Sequence, residues 1–259
     1  MNTIAALLLL TSASDSFDSF TGWTPGIRPG IETAIVQQDG DSCLRISTQQ
    51  PASDLVKSFP RPVLASERPF AQCHIWLPPF EQWPTTNQNY AGFRLTITRE
   101  QGGLVWPGIF IARDNGQPAF ICRILQDHFG RSITSENWWT LGVKAMGSTD
   151  GRISFYAAPG RVTLTEADLF FTDPDPWTTV QSFDGWFLQV SSSLPFYVGD
   201  VQLYANVPPL HIERAGGAVT LTAGYPGMTI ERSTNLLSWQ AMEGFTDAIV
   251  EAQQFYRQK

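Results

Sequence analysis

The chain has 259 residues, of which 42% are apolar and 16% are charged, and its formal net charge is −7. So few charged residues among so many apolar ones exclude a disordered chain. An acidic balance without any run of Lys or Arg argues against a nucleic-acid partner. The 21 glycines and 18 prolines are spread along the whole length, which is typical of many short strands joined by turns.

Residues 1–14 are predicted to be a secretion signal peptide. Their apolar run, 4–10, is too short to span a bilayer as a helix, and Ser12, Ala13 and Ser14 are small enough for a cleavage site. A buried N-terminal strand is the alternative, because the segment has no Lys or Arg. No other segment approaches the roughly 18 apolar residues of a transmembrane helix. We therefore expect a secreted, cell-surface or periplasmic protein that does not insert into a membrane once the signal is removed.

Apolar and polar residues alternate in four central segments, at 91–98, 119–125, 138–146 and 152–158. A period of two is typical of half-buried antiparallel strands. The turn dipeptide Asp150-Gly151 lies between the last two segments and predicts a hairpin. The residues predicted to face the core are Ala91, Phe93, Leu95, Ile97, Phe120, Cys122, Ile124, Trp139, Leu141, Val143, Ala145, Ile153, Phe155 and Ala157.

Further strands are predicted at 42–47, 70–77, 185–191 and 196–204. A single helical turn is expected near Glu166, capped by Thr163 or Thr165. More than eight strands at this spacing predict an all-β fold, an antiparallel jelly-roll β-sandwich over 15–205. The prolines at 208 and 209 disfavour a strand and indicate a linker, so that 206–259 is expected to form a small C-terminal β module.

Both predicted parts carry recognisable motifs. The strand at 216–222, the segment ERSTNL at 231–236, Trp239 and the terminal FYR at 255–257 together resemble a C-terminal module of exported verrucomicrobial and planctomycete proteins. This resemblance implies a small accessory β domain without a catalytic role.

The opening DSFDSFTGW at 15–23 and the closing FYVGDVQLY at 196–204 resemble the first and last strands of concanavalin A-like lectin/glucanase, or laminin-G-like, sandwiches. The block from WWTLGV to LTEADLF is similar to one in exported planctomycete proteins. The resemblance implies a jelly roll and a glycan as the class of ligand. It also implies a structural calcium between the first and last strands, with Asp18 and Asp200 as candidate ligands because carboxylate oxygens suit Ca²⁺. Ordinary turn and edge residues are the alternative.

The patterns required for catalysis are incomplete. A glucanase strand needs three alternating acidic residues, and Phe170 occupies the third position after Glu166 and Asp168. A divergent glycoside hydrolase or polysaccharide lyase therefore stays an alternative to a non-catalytic protein. The three cysteines, at 43, 73 and 122, include no Cys-x-x-Cys pair, so zinc is not expected. Buried thiols are expected, with one disulfide as the alternative in an exported protein.

Basic and aromatic residues collect on the predicted outward sides of the central strands. Between 90 and 161 there are eight Lys or Arg residues and five Asp or Glu residues, so this region is basic within an acidic chain. Aromatic rings stack on sugars, and Arg pairs with carboxylate or sulfate through two hydrogen bonds. The candidate carbohydrate-binding residues are Arg94, Arg123, Trp138, Lys144, Arg152 and Tyr156. A solvated sheet face without a ligand is the alternative.

The sequence as a whole favours an exported, non-catalytic, lectin-like carbohydrate-binding protein. Its expected partner is a polysaccharide or a cell-surface glycan, and the basic side chains suggest an acidic polysaccharide. Besides the enzyme, a structural or adhesion protein of the cell surface is the second alternative.

Overall fold

The structure is a computed structural model in which the chain divides into two compact units. The larger unit is Ser12–Ala205, and the smaller takes in Asn206–Lys259 together with Met1–Thr11. The structure describes residues 13–17, 19–26, 28, 30–84, 89–124, 127–145, 152–173, 180–191 and 194–205, and six strands of the smaller unit. The predicted signal peptide at 1–14 therefore lies outside the described residues up to residue 12.

The larger unit is built from short strands, as the scattered glycines and prolines predict. In chain order the described strands are β1 (Ala13–Asp15), β2 (Thr24–Pro25), β3 (Ile31–Gln38), β4 (Asp41–Thr48), β5 (Ser53–Leu64), β6 (Phe70–Leu77), β7 (Asn89–Arg99), β8 (Leu104–Val105), β9 (Gly108–Asp114), β10 (Gln117–Arg123), β11 (Asp127–Ser132), β12 (Asn137–Ala145), β13 (Ile153–Pro159), β14 (Leu169–Thr172), β15 (Val180–Val190) and β16 (Phe196–Tyr204).

These strands form two eight-stranded sheets. Sheet I has the order β14-β13-β12-β6-β16-β4-β3, with β1 also paired to β16. Sheet II has the order β11-β10-β9-β7-β15-β5-β2, with β8 also paired to β7. Residues from both sheets make up one buried apolar core, and the strand pairs at the centre of each sheet are antiparallel. The predicted antiparallel jelly-roll sandwich is confirmed.

The core follows the predicted alternation. All fourteen residues predicted to face it are no more than 6% exposed. Strands β12 and β13 pair from Trp139 opposite Pro159 to Ala145 opposite Ile153, which confirms the predicted hairpin. Its turn dipeptide at 150–151 lies outside the described residues.

In the described residues, helical structure is limited to single turns. Among the described residues there is no α-helix, and 3₁₀ turns occur at Ala65–Glu67, Phe80–Gln82 and Glu166–Asp168. The third confirms the predicted helical turn, since the backbone N–H and the hydroxyl of Thr165 donate to Oδ2 of Asp168 at 2.8 and 3.0 Å. Within the part of the chain that the structure describes, no helix has the length and apolar character needed to span a lipid bilayer.

The three cysteines, Cys43, Cys73 and Cys122, are free, buried thiols. Burial raises the pKa of Cys43 to about 11 and raises the pKa values of the other two well above the usual 9. The thiols are therefore protonated at neutral pH and pack as small apolar groups, as expected.

The smaller unit contains two three-stranded antiparallel sheets, β17-β18-β21 and β20-β19-β22. Its strands are β17 (His211–Ala215), β18 (Ala218–Thr222), β19 (Ile230–Ser233), β20 (Gln240–Ala241), β21 (Thr246–Ala248) and β22 (Phe255–Gln258). Strand β19 overlaps the start of the ERSTNL motif, and β22 contains FYR. The two strands are paired, with Arg232 opposite Tyr256. Two motifs that are distant in sequence thus become hydrogen-bonded neighbours.

Candidate functional site

The structure divides the six predicted carbohydrate-binding residues between the two outer faces of the sandwich. Arg94 on β7 and Arg123 on β10 lie on the outer face of sheet II, since the preceding residues Phe93 and Cys122 belong to the core. Arg152 is exposed just before β13, and the other three lie on the outer face of sheet I. The packed core separates the two groups, so they do not form one surface.

On sheet I, Lys144 and Tyr156 hold a segment, 160–168, that crosses the outer face. The hydroxyl of Tyr156 donates to Oε2 of Glu166 at 3.1 Å, and Nζ of Lys144 pairs with Oε1 of the same carboxylate at 2.5 Å. Leu164 packs against the ring of Tyr156, which is only 1% exposed. Contrary to the expectation from the alternation, Tyr156 is not a surface residue, because segment 160–168 covers it.

The burial of Tyr156 predicts a loss of stability at alkaline pH. Burial, followed by the bond to Glu166, raises the pKa of Tyr156 from 10 to about 12. Between these values the unfolded chain loses a proton that the folded chain keeps, so the stability that Tyr156 contributes is intact below pH 10 and falls as the pH rises towards 12. The loss amounts to about 2–3 kcal/mol. Urea unfolding at pH 8 to 12 measures it, and Tyr156→Phe should flatten this part of the profile.

The half-buried Tyr197 provides the control, because Tyr197→Phe also removes one hydroxyl but leaves segment 160–168 untouched. Equal pH slopes for Tyr156→Phe and the native protein above pH 10 would show that Tyr156 is not the residue responsible.

On sheet II, Arg94 lies between two aromatic rings. Its guanidinium carbon is 5.1 Å from the ring centroid of Phe110 and 5.0 Å from that of Phe187. Its Nε donates to the carbonyl oxygen of Trp106 at 2.8 Å, and its Nη1 donates to Oε1 of Gln189 at 2.7 Å. Its Nη2 makes no hydrogen bond to the described residues. The guanidinium is thus fixed in place with one edge left for a ligand.

Two glycines make room for this arrangement. Gly108 is paired with Arg94 across the sheet, and Gly92 is paired with Phe110. A Cβ at Gly92 would lie 2.9 Å from the Phe110 ring. A Cβ at Gly108 would lie 2.5 Å from both Cγ of Arg94 and the carbonyl oxygen of Phe93. Only glycine lets the ring and the guanidinium lie against the strand backbone here.

Asp54 supplies a buried carboxylate on the same face. It lies on β5 opposite Gln189 and is 1% exposed, and its Oδ1 has no hydrogen-bond partner among the described residues. Burial raises the pKa of Asp54, and the positive charges of Arg28 and Arg94 oppose that rise. A buried acceptor without a donor costs about 1–3 kcal/mol of stability.

We call this surface the arginine face. It is formed by Arg28, Asp54, Arg94, Arg123 and Gln189. Three guanidinium groups and one carboxylate give it a local charge of +2. Burial, followed by repulsion from Arg123, lowers the pKa of Arg94 to about 10. Arg94 therefore stays charged at neutral pH. A partly desolvated guanidinium gains more from an anionic ligand than one in water does.

Sequence reasoning missed three of the five residues of this face. Arg94 and Arg123 were identified, whereas Arg28, Asp54 and Gln189 were not. Gln189 alternates with the buried Leu188 and Val190 within a predicted strand, so a period-two signal was present, but the side chain is uncharged. Asp54 and Arg28 lie where no strand was predicted.

The predicted calcium site of Asp18 and Asp200 stays a prediction, because the described residues do not test it. Asp18 lies outside them. The carboxylate of Asp200 accepts hydrogen bonds from Nδ1 of His74 and from Nε2 of Gln202 at 2.8 Å, and Arg161 lies 3.6 Å away. No group of three or more His, Cys, Asp or Glu residues in the described ranges is placed to hold a metal ion. In this structure the carboxylate of Asp200 is thus surrounded by nitrogen donors.

No protein-family model matches the chain, and no curated protein sequence matches it. The structure is similar to that of a carbohydrate esterase from the Shiga toxin-encoding bacteriophage phi24B, with a TM-score of 0.51 and 13% identity over 79% of this chain and 100% of that one. This likeness shows the sandwich fold alone.

Two further solved structures resemble it at a TM-score of 0.48. One is a protein of unknown function with a galectin-like fold from Bacillus subtilis, 10% identical, covering 79% of this chain and 98% of that one. The other is lectin UEA-II complexed with galactose, 8% identical, covering 76% and 99%.

Proposed function

We propose that this protein is an exported, non-catalytic carbohydrate-binding protein whose ligand is an acidic polysaccharide. The observation that carries the proposal is the unused hydrogen-bonding capacity of Arg28 and Arg94 on the arginine face. Nη2 of Arg94 and the guanidinium of Arg28 make no hydrogen bond to the described residues, and Oδ1 of Asp54 is buried without a partner. Guanidinium groups with unused donors suit a ligand that carries hydroxyl oxygens and negative charge.

A chain of uronic acid residues matches this arrangement. A carboxylate takes two hydrogen bonds from a guanidinium in one plane, and Arg94 and Arg123 provide two guanidiniums held over the ring of Phe110. The buried carboxylate of Asp54 attracts Arg28 and Arg94 and so favours both guanidinium groups on this face. The charge of +2 attracts the anionic chain before contact.

The charge of the ligand is tested with a matched pair of polymers. Polygalacturonate and its fully methyl-esterified form share one backbone, and only the first is anionic. We expect native protein to bind the acid form at least roughly tenfold more tightly, and to lose that preference as salt is raised from low to about 0.5 M because the ion pairs are screened. Alginate and a sulfated galactan, with its desulfated form, extend the test to other anionic chains.

Equal affinity for the charged and uncharged forms of every pair contradicts the proposal. Release of reducing or unsaturated ends during incubation would replace the binding role with that of a hydrolase or lyase. Attachment to intact cells without affinity for any polysaccharide would support an adhesion protein instead.

A further inference from the structure

The outer face of sheet I carries a row of three aromatic side chains. Trp138 on β12 is paired with Trp76 on β6, and Trp76 is paired with Tyr197 on β16. All three are half-buried, so part of each ring reaches solvent. We call these three residues the aromatic row. Nothing in the arginine face accounts for them, because they lie on the opposite side of the sandwich.

The indole ring of Trp138 lies between the backbone of Gly199 and the guanidinium of Arg161. A Cβ at Gly199 would lie 2.6 Å from its six-membered ring, which means that the indole reaches across β6 and lies against β16. The guanidinium carbon of Arg161, from segment 160–168, is 4.8 Å from the ring centroid. The ring is therefore held in one position before any ligand arrives.

Trp76 and Tyr197 form a corner next to it. Their rings meet edge to face, with centroids 5.2 Å apart and an interplanar angle of 84°. Nε1 of Trp76 donates to Oδ2 of Asp39 at 3.0 Å, in the turn between β3 and β4. The two rings, nearly at right angles, therefore offer two adjoining apolar surfaces to a ligand.

Two polar side-chain groups lie at this corner. Arg45 is paired with Tyr197 across the sheet. The hydroxyl of Tyr197 and the guanidinium of Arg45 make no hydrogen bond to the described residues. They supply donors and an acceptor at the rim of an aromatic surface, which is the combination that orients a sugar ring.

The charge of this face differs from that of the arginine face. Asp39, Asp41 and Asp200 carry three negative charges, and Arg45 and Arg161 carry two positive ones, which leaves −1. Arg161 is also paired already, with Asp41 at 2.6 Å and with Asp200 at 3.6 Å. An anionic chain therefore gains no attraction here, whereas an uncharged sugar is not penalised.

We propose that the aromatic row is a second glycan-binding site, which takes a neutral saccharide. The apolar C–H face of a pyranose ring packs on Trp76, and its hydroxyls bond to Tyr197 and Arg45. This inference goes beyond the acidic-polysaccharide site and does not depend on it, since no residue is shared between the two faces.

Single substitutions on the two faces test the proposal. Native protein, Trp76→Ala and Arg94→Gln are compared by affinity electrophoresis in gels that contain laminarin or galactomannan as neutral probes, or polygalacturonate as the anionic probe. We expect Trp76→Ala to weaken neutral binding by roughly tenfold or more and to leave polygalacturonate binding unchanged. Arg94→Gln should do the opposite.

Milder variants keep the test decisive if Trp76→Ala folds poorly. Trp76→Phe retains an aromatic ring and should recover part of the neutral binding, and Tyr197→Phe should lose affinity through its hydroxyl alone. The second site is ruled out if none of the neutral probes retards native protein. It is also ruled out if Trp76 and Arg94 substitutions remove binding of the same probes, since that result means one site. If the anionic probe fails while the neutral ones bind, only the arginine-face proposal is lost.

Discussion

Replacing Arg94 by glutamine is expected to weaken binding of polygalacturonate roughly 10- to 100-fold at low ionic strength. Hydrogen bonds to charged groups are worth about 1.5–3 kcal/mol, and about 1.4 kcal/mol corresponds to a factor of ten in affinity. Arg94 is the residue to change because its guanidinium is held between Phe110 and Phe187, so little ordering is needed when the ligand binds. Isothermal titration calorimetry with oligogalacturonates measures the loss directly.

Two further variants separate geometry from net charge. Arg94→Lys keeps the charge but lacks the planar fork, and it should lie between the native protein and Arg94→Gln. Arg68→Gln removes the same charge from an exposed position beyond the 3₁₀ turn Ala65–Glu67, and it should bind as the native protein does. A loss of similar size in Arg68→Gln would mean that overall charge, and not the arginine face, governs the affinity.

Gly108→Ala is expected to cost on the order of 3 kcal/mol in the free energy of unfolding. The added Cβ would lie 2.5 Å from the carbonyl oxygen of Phe93 and 2.8 Å from Cα of Arg94. Both atoms are backbone of the neighbouring strand, so β7 and β9 must move apart at the centre of sheet II. The same movement displaces Arg94, and we expect polygalacturonate binding to fall together with stability. Chemical unfolding and the binding assay above measure the two effects.

Gly116→Ala serves as the control. Gly116 has φ of +78° and no atom within 4 Å of an added Cβ, so the substitution strains the backbone by about 1–2 kcal/mol without any steric contact. It should leave the affinity for polygalacturonate unchanged. If Gly108→Ala is no more costly than Gly116→Ala, the close approach of β7 and β9 at Gly108 is not a constraint on the fold.

The alternation of side chains was enough to predict the sandwich. In β12 the two adjacent tryptophans are separated by the period of two, which places Trp139 in the core and Trp138 outside. The same reasoning predicted the β12–β13 hairpin and the inward side of β7. This works because one face of each strand is buried, so a shift of one residue would expose every apolar side chain.

Alternation within a strand does not reveal which sheet the strand joins. Arg94 and Lys144 occupy equivalent outward positions in their own strands, yet β7 belongs to sheet II and β12 to sheet I. Nor does it reveal what covers an outward residue. Tyr156 is buried by Leu164, which comes from the segment that follows its own strand. These contacts depend on how distant strands are ordered, which is a property of the whole chain.

The arginine face and the aromatic row lie on opposite sides of one packed core. This position limits how the two surfaces can share one ligand. If both proposals hold, one stretch of polysaccharide along the arginine face cannot also contact Trp76, because the packed core lies between them. Occupation of both sites then takes two stretches of polymer, one on each side. The sandwich would in that case cross-link polymers, and its avidity would grow with the density of the two polymers in a matrix.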